Sequence, residues 1–114
     1  MSKRILRVNV LIKEEISKLL LKEFEFSLDV LVTVTRVETS ADLKESKVFI
    51  SVVPEQKSDE VIKILNKKMY FLQQKFNQRM KMRPLPRLKI LAEKKTIEAS
   101  MVEEILEKLK KEQK

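Results

Sequence analysis

Catalysis and metal binding draw on a short set of side chains, and this chain lacks most of them. It has no His and no Cys, which excludes disulfides, zinc sites of the usual ligand types, and His- or Cys-based catalysis. It has no Gly, so phosphate-cradling loops such as the P-loop and the dinucleotide fingerprint cannot form. The carboxylate pairs Glu14/Glu15, Asp59/Glu60 and Glu103/Glu104 are adjacent in sequence. Neighbours on a helix diverge by about 100°, so these pairs read as solvated charge and not as an acid–base couple. No enzyme and no cofactor is expected. What remains is cationic. Residues 61–92 carry nine of the 25 basic residues (Lys63, Lys67, Lys68, Lys75, Arg79, Lys81, Arg83, Arg87, Lys89) and no Asp or Glu. The other sixteen basic residues nearly balance the seventeen acidic ones, so the net charge of +8 comes from this stretch. A folded segment with so concentrated a positive field is suited to phosphate groups.

The elements that must position these cations can be read from periodicity. At 114 residues the chain is one domain by length, enough to bury about two-thirds of its unfolded surface. With 43% apolar and 37% charged residues it suits a compact protein with a charged shell. No apolar run reaches the ~18 residues of a membrane span. The opening MSKRILRVNVLIKEE lacks the apolar core of a signal peptide, so a cytoplasmic location is expected. Residues 3–24 read as an amphipathic helix with Ile5, Val8, Leu11, Ile12, Ile16, Leu19 and Leu20 as its buried stripe. Arg4 and Arg7 sit on its first turns, where positive charge opposes the helix dipole. They read as solvated surface, or as a supplementary phosphate contact.

Residues 31–40 are β-branched and alternating, with Val32 and Val34 inward. After a turn at Ser40, Ala41 and Asp42, residues 46–53 form a second strand, with Val48, Ile50 and Val52 on one face. The short separation predicts an antiparallel pair. Phe49 points to the other face, where packing is expected to cover it. Pro54 ends the strand, EQKS links onward, and Ser58 is placed as an N-cap ahead of Asp59 and Glu60. One straight helix from there would set Ile64 and Phe71 at one edge of the apolar arc and Leu72, Phe76 and Met80 at the other. Lys68, Lys75 and Arg79 would lie between them, and burying unpaired charge costs several kcal/mol per ion. Two helices meeting at Lys67–Tyr70 avoid this, so a break is predicted there. The second helix ends before Pro84, since Arg83 is pushed away from the α region. Leu88 and Ile90 alternate with Arg87 and Lys89, a third strand with one apolar and one basic face. A polar connection leads to a last helix from about residue 99, with Met101, Val102, Ile105, Leu106 and Leu109 as its stripe.

The order helix–strand–strand–helix–helix–strand predicts an α+β domain with a three-stranded sheet and its helices on one face. This is the type II KH order, an RNA-binding architecture. The domain spans residues 1–98, and residues 99–114 form an extra C-terminal helix and tail. RVNVLIKEEISKLL, VTVTRVETSADLKESKVFISV, MKMRPLPRL and IEASMVEEIL, in that order, resemble the ribosome-binding factor A family. The resemblance covers residues 4–109. It implies a bacterial cytoplasmic protein that binds the immature small ribosomal subunit and its 16S rRNA late in maturation, with a role in growth in the cold. It also implies an Ala-x-Gly kink between the two central helices in place of the GXXG loop of other KH domains. That kink falls on Lys68, Met69 and Tyr70, where both signature residues are replaced.

The expected mechanism is non-catalytic RNA binding by phosphate neutralisation and shape. Lys67, Lys68, Lys75 and Arg79, with Lys81, Arg83, Arg87 and Lys89 after them and Arg4 and Arg7 in support, are the expected RNA contacts. Arg permits bidentate phosphate contacts that Lys cannot make. Phe24, Phe71 and Phe76 are placed in the core and the methionines as filling. For Tyr70, packing with a satisfied hydroxyl outweighs base stacking. The chain is expected to act as a monomer, with no metal and no membrane partner. The competing reading is a protein-interaction module using the basic face and the C-terminal helix to bind an acidic partner. A plain basic surface and a membrane-surface role rank below both.

Overall fold

The computed structural model describes residues 3–81 and 85–93. In chain order these form α1 (Lys3–Glu23), β1 (Leu31–Thr39), β2 (Glu45–Val53), α2 (Ser58–Lys67), α3 (Met69–Arg79) and β3 (Arg87–Ala92), with a short 3-10 turn at Glu55–Lys57. The sheet runs β1-β2-β3. β1 and β2 pair antiparallel, while β2 and β3 pair parallel. A parallel pair needs a long crossover, and α2 with α3 supplies it. This is the α-β-β-α-α-β order of the type II KH-like fold, and the class is α+β. Met82, Arg83, Pro84 and the C-terminal helix expected over residues 99–114 lie outside the described residues, and with them the boundary at residue 98.

One apolar layer joins the sheet to the helices. Val34, Val37, Val48, Ile50, Val52, Leu88 and Ile90 from the strands meet Val8, Ile12, Ile16, Leu19 and Leu20 of α1 and Val61, Leu65, Leu72 and Phe76 of α2 and α3. All are buried. Leu11 does not join them and stays 48% exposed, because one residue's step of about 100° carries it off the arc centred on Ile12, Ile16 and Leu19. In β1 the pairing register shifts between Val34 and Arg36. This bulge takes up one residue, so Val34 and Val37 both face the core and Arg36 faces outward. Thr35 Oγ1 donates to the Phe49 carbonyl beside it.

Polar groups tie the layers where the apolar pattern stops. Ser46 is fully buried, and its hydroxyl pairs with Thr39 Oγ1 at 2.8 Å. Thr39 Oγ1 also donates to Asn9 Oδ1 of α1. Gln73 of α3 holds the entry to β3: its Nε2 donates to the Pro86 carbonyl at 3.1 Å, and its Oε1 accepts from the Leu88 N–H at 2.8 Å. The hairpin connection runs two residues beyond Asp42, through Leu43 and Lys44. Leu43 takes a φ of 61°, a left-handed conformation costly for a branched side chain, and burial of that side chain offsets the cost. Ser58 does not cap α2. The EQK stretch is itself helical, so Lys57 occupies the cap position with no side-chain cap bond, and Ser58 is already the first helical residue.

Candidate nucleic-acid interface

The expected break lies at Lys68. α2 ends at Lys67, Lys68 leaves the helical region at φ −102°, ψ 19°, and α3 begins at Met69. The elbow lets each helix turn its own stripe to the sheet, and Leu65, Leu72 and Phe76 are all fully buried. The cations between those stripes are thereby released from the core. Lys67 and Lys68 are exposed and Lys75 is half-buried. None of the three has a carboxylate partner among the described residues.

Two of these lysines rest on aromatic rings. Lys68 Nζ stands 5.9 Å from the centre of the Phe24 ring, and Lys75 Nζ stands 5.6 Å from that of Phe71. The two rings meet edge to face at 6.3 Å, which places both ammonium groups around one aromatic pair. The quadrupole of a ring attracts a cation over its face without neutralising it, so both charges remain available to phosphate. Phe24 and Phe76 are core residues as expected. Phe71 is 39% exposed, so it belongs to this mixed surface as much as to the core. The expectation that Tyr70 packs with a bonded hydroxyl is not met: it is 80% exposed and has no partner among the described residues. As the second residue of α3 it projects from the elbow, not from the α3 stripe that faces the sheet.

The other expected contacts divide. Arg79 is bound to Glu15 of α1 through its Nε. It lies at the joint between α1 and α3, its charge already matched. Arg4 and Arg7 are exposed near the start of α1, whose first turn carries no acid. Lys81 is exposed just past α3. Arg83 lies outside the described residues. Arg87 and Lys89 are exposed on the sheet face that points away from the helices, since their neighbours Leu88 and Ile90 face the helical core. The basic stretch therefore reaches two sides of the molecule and does not form one continuous surface.

That outer sheet face is of mixed charge. Lys47 stands beside Lys89 on one side and Glu38 on the other, and Glu45 stands beside Arg87. Lys47 was legible as an outward residue from the alternation of SKVFISV. The Arg36 guanidinium lies 3.8 Å from the centre of the Phe49 ring and covers it, which is the packing expected for that residue. Arg36 Nε donates to both carboxylate oxygens of Glu93, and its other arm pairs with Glu38. These carboxylates hold the Arg36 pKa above its ordinary value, the hydrogen bond with Glu93 contributing most. Nothing in the polar connection around Glu93 signalled that it returns to β1.

Comparison with known proteins gives a consistent result. The family model for ribosome-binding factor A matches residues 4–106. Ribosome-binding factor A from Bdellovibrio bacteriovorus is 34% identical over 113 residues, 98% of this chain and 84% of that protein. Among solved structures, the crystal structure of ribosome-binding factor A from Thermus thermophilus superposes with a TM-score of 0.67 at 23% identity, covering 77% of this chain and 94% of the other. A homology model of the Thermus thermophilus factor, fitted into an electron cryo-microscopy map of a 30S complex with that factor, superposes with a TM-score of 0.61 at 24% identity, covering 73% of this chain and 88% of the other. At such identities the two structural matches speak for the fold.

Proposed function

The chain belongs to the ribosome-binding factor A family, and from that premise we propose that it is a non-catalytic ribosome assembly factor. It binds the small ribosomal subunit through 16S rRNA late in maturation, reading phosphate positions and shape. The observation that carries this reading is the elbow: Lys67, Lys68 and Lys75, without carboxylate partners among the described residues, grouped where two helices meet. Cations so placed bind phosphates that a rigid duplex or folded loop holds at matching spacing. The 30S complex of the Thermus relative supports the choice of subunit. A cytoplasmic site of action and a role in growth in the cold belong to the same reading.

The contacts proposed for RNA are Lys67, Lys68 and Lys75, with Lys81, Arg83, Arg4 and Arg7 in support. Arg79 serves the fold through Glu15, and Arg87 and Lys89 serve the opposite face. The test is crosslinking of the chain to gradient-separated particles. The expected outcome is crosslinks from the elbow to 16S rRNA in immature small subunits, with few in finished ones. Crosslinks that go only to ribosomal proteins, and survive ribonuclease, would replace this reading with that of an acidic protein partner.

A further inference from the structure

We propose that Tyr70 is a stacking platform for one unpaired nucleobase, with the adjoining phosphate held by Lys67 and Lys68. The inference rests on the rRNA-binding reading above and adds to it a class of target: single-stranded RNA at the elbow. A single exposed tyrosine means little by itself. This one is singled out by its surroundings. Of the rings at or near the break, Phe24 carries Lys68 on one side and stacks on Phe26, and the half-open Phe71 carries Lys75. Tyr70 is the most open of them, 80% exposed and without a ring, cation or hydrogen-bond partner among the described residues. It follows closely on two exposed lysines in a stretch free of carboxylates.

The chemistry of these parts matches one nucleotide. A base offers a π-face to an aromatic ring, and its phosphate offers charge to an ammonium group. Gln74, one turn along α3 and also exposed, supplies an amide donor and acceptor for the edge of a base. Bases within a duplex are already stacked on one another and closed to a side chain, so only an unpaired base can use the platform. The relevant target is a bulge, loop or strand end beside the phosphates that the lysines hold.

The chain provides its own reporter. Tyr70 is its one tyrosine, and it has no tryptophan, so its ultraviolet emission comes from this position. We would titrate the full chain at low salt with a single-stranded oligoribonucleotide, a duplex with the same number of phosphates, and inorganic polyphosphate. Binding is followed separately by anisotropy of end-labelled RNA. Single-stranded RNA is expected to quench tyrosine emission in step with occupancy, while the duplex and polyphosphate leave it unchanged. Tyr70→Ala should weaken the single strand by roughly 5- to 150-fold, the worth of one base–aromatic stack, and leave duplex affinity as it was. Tyr70→Phe should behave as the parent in affinity. Single-strand binding with unaltered emission overturns the platform and leaves the phosphate reading standing. Equal losses on single strand and duplex in Tyr70→Ala also overturn it, since they point to a structural role. Should neither RNA nor small subunits bind, the platform and the reading beneath it fall together.

Discussion

Replacing Lys67, Lys68 and Lys75 together with glutamine separates the two cationic faces of this protein. The three lysines lie on the helical side and carry no ion pair among the described residues, so each is free to displace a counterion from RNA. Every phosphate neutralised on single-stranded RNA contributes about 0.7 to the slope of log K against log salt. Losing three such contacts should make that slope shallower by about 2.1. At 0.15 M salt the same arithmetic removes about 1.7 from log K, an affinity loss of roughly 50-fold. The assay is binding of the chain to immature small subunits from about 0.05 to 0.4 M salt, compared between parent, triple variant and Arg87→Gln/Lys89→Gln. The outer-face pair should leave the slope nearly unchanged. Lys68 and Lys75 also lie over rings, and losing each cation–π contact costs about 0.5–1 kcal/mol. Thermal melting of the triple variant should confirm that it remains folded. If the outer-face pair moves the slope as much as the elbow triple, or the triple moves it not at all, the assignment of the elbow as the RNA face is refuted.

Three further outcomes follow from particular contacts. Arg79→Gln should weaken subunit binding far less than Lys68→Gln, because Glu15 already neutralises Arg79. A double-mutant cycle with Glu15→Gln should give a coupling of about 0.2–1 kcal/mol, typical of a partly exposed pair; zero coupling would remove Glu15 as the partner. Gln73→Ala leaves the Leu88 N–H and the Pro86 carbonyl without their partner, so urea unfolding should show a loss of about 1–3 kcal/mol, with RNA affinity per folded molecule unchanged. The Ser40 hydroxyl and then the Lys44 N–H hold the Asp42 carboxyl below its ordinary value of 3.8. Its contribution to the hairpin turn is therefore complete above that pH and lost as pH falls through the lowered value. Amide exchange at Leu43–Glu45 should quicken there in the parent, whereas Asp42→Asn should lack that acid step.

Much of the architecture was legible in the residues because local periodicity reports local structure. The alternation of SKVFISVV and RLKILA marked two strands, and the three–four spacing from Val8 to Leu20 marked a helix. The cost of burying Lys68, Lys75 and Arg79 marked a break that falls at Lys68. The segments quoted for the ribosome-binding factor A family identified it. The alternation of RLKILA even separated Arg87 and Lys89 from Leu88 and Ile90. That this put them across the sheet from the other cations became plain only once the helices were seen to cover the Leu88 and Ile90 side.

What tertiary structure alone decided are pairings between distant residues. Arg79 meets Glu15 across 64 positions, and Arg36 meets Glu93 across 57. A helical or strand pattern reports only neighbours a few residues apart, so no spacing rule could find these partners. Composition counted Arg79 among the free cations; docking of α3 against α1 took it out. Likewise, the residue type of Tyr70 favoured packing over an open surface, and the structure reversed that preference. The fold left it in water, 80% exposed on the first turn of α3, because a ring finds cover only where distant segments are brought against it, and none of the described residues gives this one a ring, cation or hydrogen-bond partner.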